Sequence, residues 1–486
     1  MELFFNHLGP TALFIAQFAG MIIAAIHAIL SKDDPRSASG WVAVIVLVPF
    51  VGWLTYWILG INRIERRARE LRSGSYATGI RPLPPANLAN ALIAPKEETQ
   101  QLVRLAELGQ KIFPSGLMPG NFIRVLKNGD QAYPAMIAAI EKAERSIALS
   151  SYIFNCDKAG LAFLAALTRA RERGVEIRIL LDGVGAWYSF PSMVKRLEQA
   201  AIPHARFLHS FMPWQMPYLN MRCHQKILVV DGLHGFTGGM NIAEGNLVID
   251  NPRHPIRDYH FSVEGPLVTQ LMLNFAHEWA FTADEELSGE AWFPDIPVHF
   301  DKEQSVIARG IASGPDLKLN AIRWTLMGAL AEASNYIRIV TPYFVPDGTL
   351  KASLCLAAMR GIRVDIVLPE NNNLPYVAWA SQADLGPLIQ AGCHVWMVPG
   401  PFEHSKLMTI DGYWSLVGSS NWDTRSLRLN FEFDLECYGA SFARTLDQII
   451  EAKIESAREL TIADIAARPF LVRLRDSTMR LFSPYL

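Results

Sequence analysis

A chain of 486 residues is longer than one ordinary core fills, so two or three domains are expected. Half of it is hydrophobic and 19% is charged, with no low-complexity tract, which excludes a disordered chain. A formal net charge of -2 leaves no basic excess to neutralise phosphates, so no nucleic-acid partner is expected.

Thr11 to Leu30 is interrupted only by Gln17 and His27 as strongly polar residues, and Trp41 to Leu59 carries no charge. Each run is long enough to cross a hydrocarbon core of about 30 Å as a helix rising about 1.5 Å per residue. Pro49 and Gly52 are tolerable in a membrane helix. Trp41, Trp53, Tyr56 and Trp57 lie at or near the span ends, as interfacial belts do. Residues 1–72 therefore read as a two-helix transmembrane hairpin anchor with a basic juxtamembrane segment. Arg63, Arg66, Arg67, Arg69 and Arg72 follow the second span, against Lys32 and Arg36 alone in the connecting loop. The positive-inside rule then puts the catalytic body on the cytoplasmic side of a multi-pass membrane protein. Residues 73–114 read as a linker, because Pro82, Pro84, Pro85 and Pro95 exclude a long regular element.

The rest is a repeat. Helix Ala135 to Ala143, strand Ser146 to Phe154, helix Ala159 to Arg173 and strand Val175 to Leu181 form one series. Helix Ala321 to Ala333, strand Tyr336 to Phe344, helix Thr349 to Met359 and strand Ile362 to Leu368 repeat it. The order implies α/β halves, residues 115–300 and 301–486, with crossover units and a largely parallel sheet.

Within each half one motif recurs. His224-Gln225-Lys226 followed by Asp231-Gly232 returns as His404-Ser405-Lys406 followed by Asp411-Gly412, both reading HxKxxxxDG. Gly238-Gly239-Met240-Asn241 and Gly418-Ser419-Ser420-Asn421 follow at the same distance. A strand starting at His224 would project His224 and Lys226 to one face. Asp231 and Asp411 belong to the same motif and count with the catalytic set, although strand parity turns Asp231 to the opposite face, where holding the turn is its expected part.

A solitary histidine is usually mundane; two in duplicated frames, each beside a lysine, meet the needs of a phosphoryl displacement. One neutral imidazole attacks phosphorus and the other protonates the leaving oxygen. Lys226, Lys406, Asn241 and Asn421 can stabilise the charged oxygens, and Asp258 and Glu432, in matching places downstream, can orient the imidazoles. A metal site is not expected, because the lysines would put cations in the coordination sphere. Cys156, Cys223, Cys355, Cys393 and Cys437 include no CxxC pair, so neither zinc nor a disulfide framework is indicated.

The doubled HxKxxxxD with its GGxN and GSxN tails resembles the phospholipase D superfamily over roughly residues 115 to 486. That resemblance implies two α/β halves sharing one active site, a phosphohistidine intermediate and no cofactor. His224 is favoured as nucleophile by analogy with two-copy enzymes. Gly239 departs from the family's common Ser. The N-terminal hairpin, Asp33-Asp34-Pro35-Arg36, Arg257-Asp258-Tyr259-His260 with Glu264-Gly265-Pro266, Arg468-Pro469 and Arg480-Leu481-Phe482-Ser483-Pro484 are similar to the bacterial cardiolipin synthases. The implied reaction joins two phosphatidylglycerol molecules into cardiolipin and glycerol at the bacterial inner membrane. A hydrolytic phospholipase D, or a transferase with another acceptor alcohol, is the alternative. Phe211 to Tyr218, with two prolines and exposed-type aromatics, reads as a lipid-facing lip or a packing loop.

Overall fold

The computed structural model describes residues 2–32, 35–60, 85–92, 94–113, 115–188, 191–208, 221–299, 301, 303–314 and 320–483. The arginine run after the second span, the start of the linker and the Phe211 to Tyr218 lip lie outside the described residues. The N-terminal segment, within Met1–Arg67, and the body from Ala68 onward belong to separate compact units.

In the N-terminal unit, helix Glu2–Ser31 contains a stretch, Ala12–Ser31, long and apolar enough to cross a membrane, with a mean hydropathy of 2.2. The second apolar run is not one continuous helix. It is helix Pro35–Leu47, a break, helix Val51–Thr55 and a π-helical turn Tyr56–Gly60. Pro49 brings no N–H to the helix ladder, and Phe50 sits at φ 60°. Gln17 mends the break: its Oε1 accepts from the Phe50 amide and from Trp53 Nε1, both at 2.8 Å. Gly52 has no alternative, since a Cβ there would lie 2.2 Å from the Val44 carbonyl oxygen. Trp53 packs on Gly20, and Tyr56 is buried with its hydroxyl 2.7 Å from His27 Nδ1, so these two aromatics seal the segment against the first helix.

In the body, the expected helices and strands recur in both halves, the first crossover helix of each opened by an aspartate and ended by a left-handed glycine. Asp157 accepts from Gly160 N at the start of helix Lys158–Glu172, and Gly174 follows at φ 89°. Asp347 accepts from Thr349 N and Leu350 N at the start of helix Gly348–Met359, and Gly361 follows at φ 88°.

The first half contributes strands β1 (Met118–Lys127), β2 (Ser146–Ser151), β3 (Glu176–Asp182), β4 (His204–Phe207), β5 (Ile227–Val230), β6 (His234–Gly238) and β7 (Tyr259–Glu264). The second contributes β8 (Val306–Ser313), β9 (Tyr336–Val340), β10 (Arg363–Pro369), β11 (His394–Val398), β12 (Leu407–Ile410), β13 (Trp414–Gly418), β14 (Glu432–Tyr438) and β15 (Arg458–Leu460). One sheet runs through both, in the order β15-β11-β10-β9-β12-β13-β14-β8-β1-β7-β6-β5-β2-β3-β4. It is mixed rather than largely parallel. β2, β3 and β4 are parallel, as are β9, β10 and β11, but the motif hairpins β5-β6 and β12-β13 and the central strands pair antiparallel. Crossover helices join the parallel outer strands, whereas the motif hairpins β5-β6 and β12-β13 turn at Asp231-Gly232 and Asp411-Gly412. β1 and β8, the first strands of the two halves, pair antiparallel at the centre.

The segment before residue 115 is more than a linker. Pro85 falls in the first turn of helix Pro85–Ala91 and Pro95 just ahead of helix Lys96–Ile112, where a proline costs nothing. Leu88, Leu102, Leu105 and Ala106 join the core of the second half with Ile322, Ile337 and Ile339. Gly109 lets this helix close on the fully buried Arg309, which is ion-paired with Glu436 on β14 and donates to the Ala106 carbonyl. Near the other end of the chain, helix Phe470–Arg480 packs on helix Pro375–Gln390.

Candidate active site

The two motifs enter the sheet after crossing to the opposite half. His224-Gln-Lys226 is an extended segment just before β5 rather than part of it. Its His224 and Gln225 amides both donate to the Phe431 carbonyl, and Phe431 N donates back to Arg222 O at 2.8 Å. In the second copy the His404 amide donates to Arg257 O at 2.7 Å, and Phe402–Glu403 pairs parallel with Ile256–Arg257. Asp182, at the end of β3, adds a bond from the Cys223 amide to its Oδ2 at 2.8 Å.

Because each entry is stitched beside the residue preceding the other half's acid, the imidazoles are oriented across the halves. His224 Nδ1 lies 2.8 and 3.0 Å from the two carboxylate oxygens of Glu432. His404 Nδ1 lies 2.7 Å from Asp258 Oδ2. With Nδ1–H donating to a carboxylate, Nε2 of each ring carries the lone pair. Glu432 is held in turn by Ser426 Oγ at 2.6 Å and Asn430 Nδ2 at 3.1 Å, and Asp258 by the Tyr259 amide at 2.7 Å.

His224, His404, Asn241 and Asn421 line one cavity of about 500 Å³, within the usual size of a ligand site. Lys226 and Lys406 are buried beside it, each bonding its own motif's histidine carbonyl. Lys406 Nζ also lies 3.1 Å from His404 Nε2. No hydrogen bond to His224 Nε2 occurs among the described residues. Asn241 Oδ1 accepts from the Ile153 amide at 3.2 Å, which leaves its NH2 group for the cavity.

The Gly239 departure has a steric cause. A Cβ at Gly239 would lie 2.8 Å from Asp258 Oδ2, whereas in the other half Ser419 accepts from the Phe433 amide at 2.9 Å and helps stabilise the Glu432 carboxylate.

The structure does not bring Asp231 and Asp411 to the cavity. They sit at the far ends of β5 and β12 with φ of 53° and 52°, each accepting three backbone N–H bonds. Asp231 binds the amides of Glu144, Arg145 and Ser146, and Asp411 those of Ser334, Asn335 and Tyr336. Each therefore anchors the start of β2 or β9.

Burial pushes both imidazoles down to about 4, against the pull of their carboxylates and with the two lysines pushing the same way. Burial also lowers Lys226 to about 7 and Lys406 to about 8, although Glu432 and Asp258 draw them upward. For Asp258 and Glu432, burial raises the pKa, but the facing histidines and lysines outweigh it and hold both carboxyls below their ordinary values. At neutral pH the site thus holds neutral imidazoles between ionised acids.

Several wall residues escaped the motif-based reading. Tyr152 stacks edge-on against His224, centroids 5.1 Å apart, with Lys226 Nζ 5.5 Å from its ring; Tyr343 meets His404 at 6.2 Å. A tyrosine soon after β2 and after β9, at matching places in the two halves, was the available signal. Arg222 and Arg425 also line the cavity, one from each half. Arg425 is lowered by burial and then by Arg222, so the two cations are close enough to repel.

Residues 136–273 and 326–454, more than half of the chain, match the family model described as cardiolipin synthase, PLD-like domain. Residues 19–60 match one described as phospholipase D-nuclease N-terminal. The chain is 31% identical to cardiolipin synthase 1 of Bacillus anthracis, over 94% of this chain and 90% of that protein. It is 30% identical to a cardiolipin synthase of Geobacillus kaustophilus, over 96% and 92%. In fold it is similar to phosphatidylserine synthase of Haemophilus influenzae, with a TM-score of 0.60 and 14% identity, over 79% of this chain and all of that one.

Proposed function

We infer the reaction from a firm premise: the chain belongs to the cardiolipin synthase family of phospholipase D-like proteins. It is a phosphatidyltransferase that makes cardiolipin and glycerol from two phosphatidylglycerol molecules. The observation that carries this is the cavity with two imidazoles, each fixed at Nδ1 by an acid of the opposite half.

His224 Nε2 attacks phosphorus, forming the N–P bond as the bond to the glycerol oxygen breaks. The proton for that oxygen passes from the Lys406 ammonium to His404 Nε2, 3.1 Å away, and from there to the leaving oxygen. The acceptor hydroxyl then returns a proton to His404, and its oxygen attacks phosphorus and breaks the N–P bond. The uncapped Nε2 of His224 suits the nucleophile, and the Lys406 contact at His404 Nε2 suits a site that passes a proton. Lys226, Lys406, Asn241 and Asn421 hold the equatorial oxygens; Asp258 and Glu432 are positioning residues. No metal is needed for this scheme, because the lysines and amides supply the charge stabilisation. Arg222 and Arg425 are surplus to one phosphate and suit the acceptor lipid's own phosphodiester, which a water acceptor would lack.

The two halves divide between residues 300 and 301. The N-terminal unit acts as an integral hairpin, its broken second segment sealed by Gln17, with the body on the cytoplasmic side. The purified full chain in vesicles of labelled phosphatidylglycerol should release glycerol and form cardiolipin. Phosphatidic acid as sole product would refute the transferase assignment.

A further inference from the structure

We propose that helix Phe470–Arg480 is a second membrane contact, an interfacial helix that lies in the surface of an anionic leaflet beside the catalytic cavity. Its side chains are arranged the wrong way round for an ordinary surface helix. Phe470, Leu471, Leu474, Leu481 and Phe482 are 67%, 74%, 51%, 74% and 51% exposed. At about 100° per residue they fall within one sector of roughly 120°. The face turned to the protein carries the polar group instead: Asp476 is 1% exposed and pairs with Arg468 at 2.6 Å and Arg475 at 2.8 Å, and Arg475 stacks 4.3 Å over Trp379. Apolar burial inside the body therefore does not explain the sequence of this helix.

The flanks indicate what covers the exposed stripe. Arg473 and Arg480 border it on one side, Arg480 also reaching Asp384 at 3.5 Å, which suits anionic headgroups above an apolar layer. At 11 residues the helix is about 16 Å long, too short to span a bilayer of about 30 Å but sufficient to lie in one leaflet. It also adjoins the site. Met479 packs on the buried cluster of Val345, Val377 and Ala380, on which Tyr343 and Leu374 also pack, and Tyr343, Leu374 and Val377 line the cavity. A leaflet that takes up the stripe thus meets the cavity wall, and lipid phosphate reaches the histidines without leaving the interface. The lipid occupant rests on the reaction proposed above, but its test does not.

The test uses the full chain in a Cys156→Ser, Cys355→Ser background, with Leu474→Cys carrying an environment-sensitive fluorophore. In vesicles containing phosphatidylglycerol the probe should shift to the blue and be quenched by lipids with a nitroxide at shallow acyl depth. The combined change Phe470→Ser, Leu474→Ser, Leu481→Ser should lower turnover on vesicles by about tenfold or more, while turnover on monomeric short-chain phosphatidylglycerol stays within about twofold. A water-exposed, unquenched probe, equal losses on both substrates, or a disulfide joining two copies of the unlabelled Leu474→Cys chain through the introduced thiol would overturn the docking. Absence of cardiolipin from the unaltered chain would overturn the reaction instead, and leaves the quenching result to judge the helix.

Discussion

Asp231→Ala should unfold the protein more easily without impairing the chemistry of what remains folded. Asp231 Oδ1 accepts from the amides of Arg145 and Ser146 at 2.8 and 2.9 Å, and Oδ2 from Glu144 at 3.0 Å. At about 1 kcal/mol net for each bond, the alanine loses roughly 3 kcal/mol. Holding a non-glycine, non-Asx residue at φ 53° adds about 1 kcal/mol more. Asp231→Asn keeps the Oδ1 acceptor and forfeits only the Glu144 bond, a loss of about 1 kcal/mol. Heat inactivation of the full chain in detergent should therefore begin roughly 5 °C or more earlier for the alanine variant, and only slightly earlier for the asparagine variant. Turnover per folded molecule, with folding checked by size-exclusion, should stay within about threefold for both, because His224 and Glu432 are untouched. Unchanged heat resistance in Asp231→Asn together with a hundredfold fall in turnover would refute this, and return the aspartate to the reaction. Asp411 repeats the geometry and should repeat the result.

Other consequences are sharper at the site. Glu432→Gln should cut kcat about 10²–10⁴-fold through loss of tautomer and imidazolium support, and the loss of its charge should move the alkaline limb to lower pH, because Glu432 helps keep Lys226 and Lys406 protonated; an unmoved pH profile would count against that role. In the parent enzyme, imidazoles lowered to about 4 remain neutral at pH 6, so kcat/KM should show no acid limb near 6.5; it should fall instead as pH rises past about 7, where Lys226 loses its proton. Arg222→Ala and Arg425→Ala should each raise the ratio of phosphatidic acid to cardiolipin, measured on labelled phosphatidylglycerol, since water needs no second phosphate site; an unchanged ratio at lower total turnover would dismiss the acceptor role. Gly239→Ser should displace Asp258 and reduce turnover by about tenfold or more, whereas Ser419→Gly should cost less.

The duplicated motif was fully legible in the chain, because phosphoryl chemistry requires particular side chains and the duplication preserved their spacing. Periodicity likewise sufficed for the crossover helices and their flanking strands, where local burial patterns repeat. Local pattern misled where a distant group changed its meaning. The prolines ahead of residue 96 suggested a linker, but Gly109 meeting Arg309 draws the following helix into the core. The apolar run from Trp41 suggested one uninterrupted helix, but Gln17 on the first helix satisfies a break in it. Asp258 and Glu432 could be picked out as orienting acids from sequence, yet which histidine each one serves depends on how the halves are joined. Spacing along a chain constrains neighbours on one strand or helix; it says nothing of a 2.8 Å bond between residues 208 positions apart. Only the pairing of β1 with β8, and the backbone bonds from each motif to the opposite half, decided that every imidazole takes its acid from the other copy.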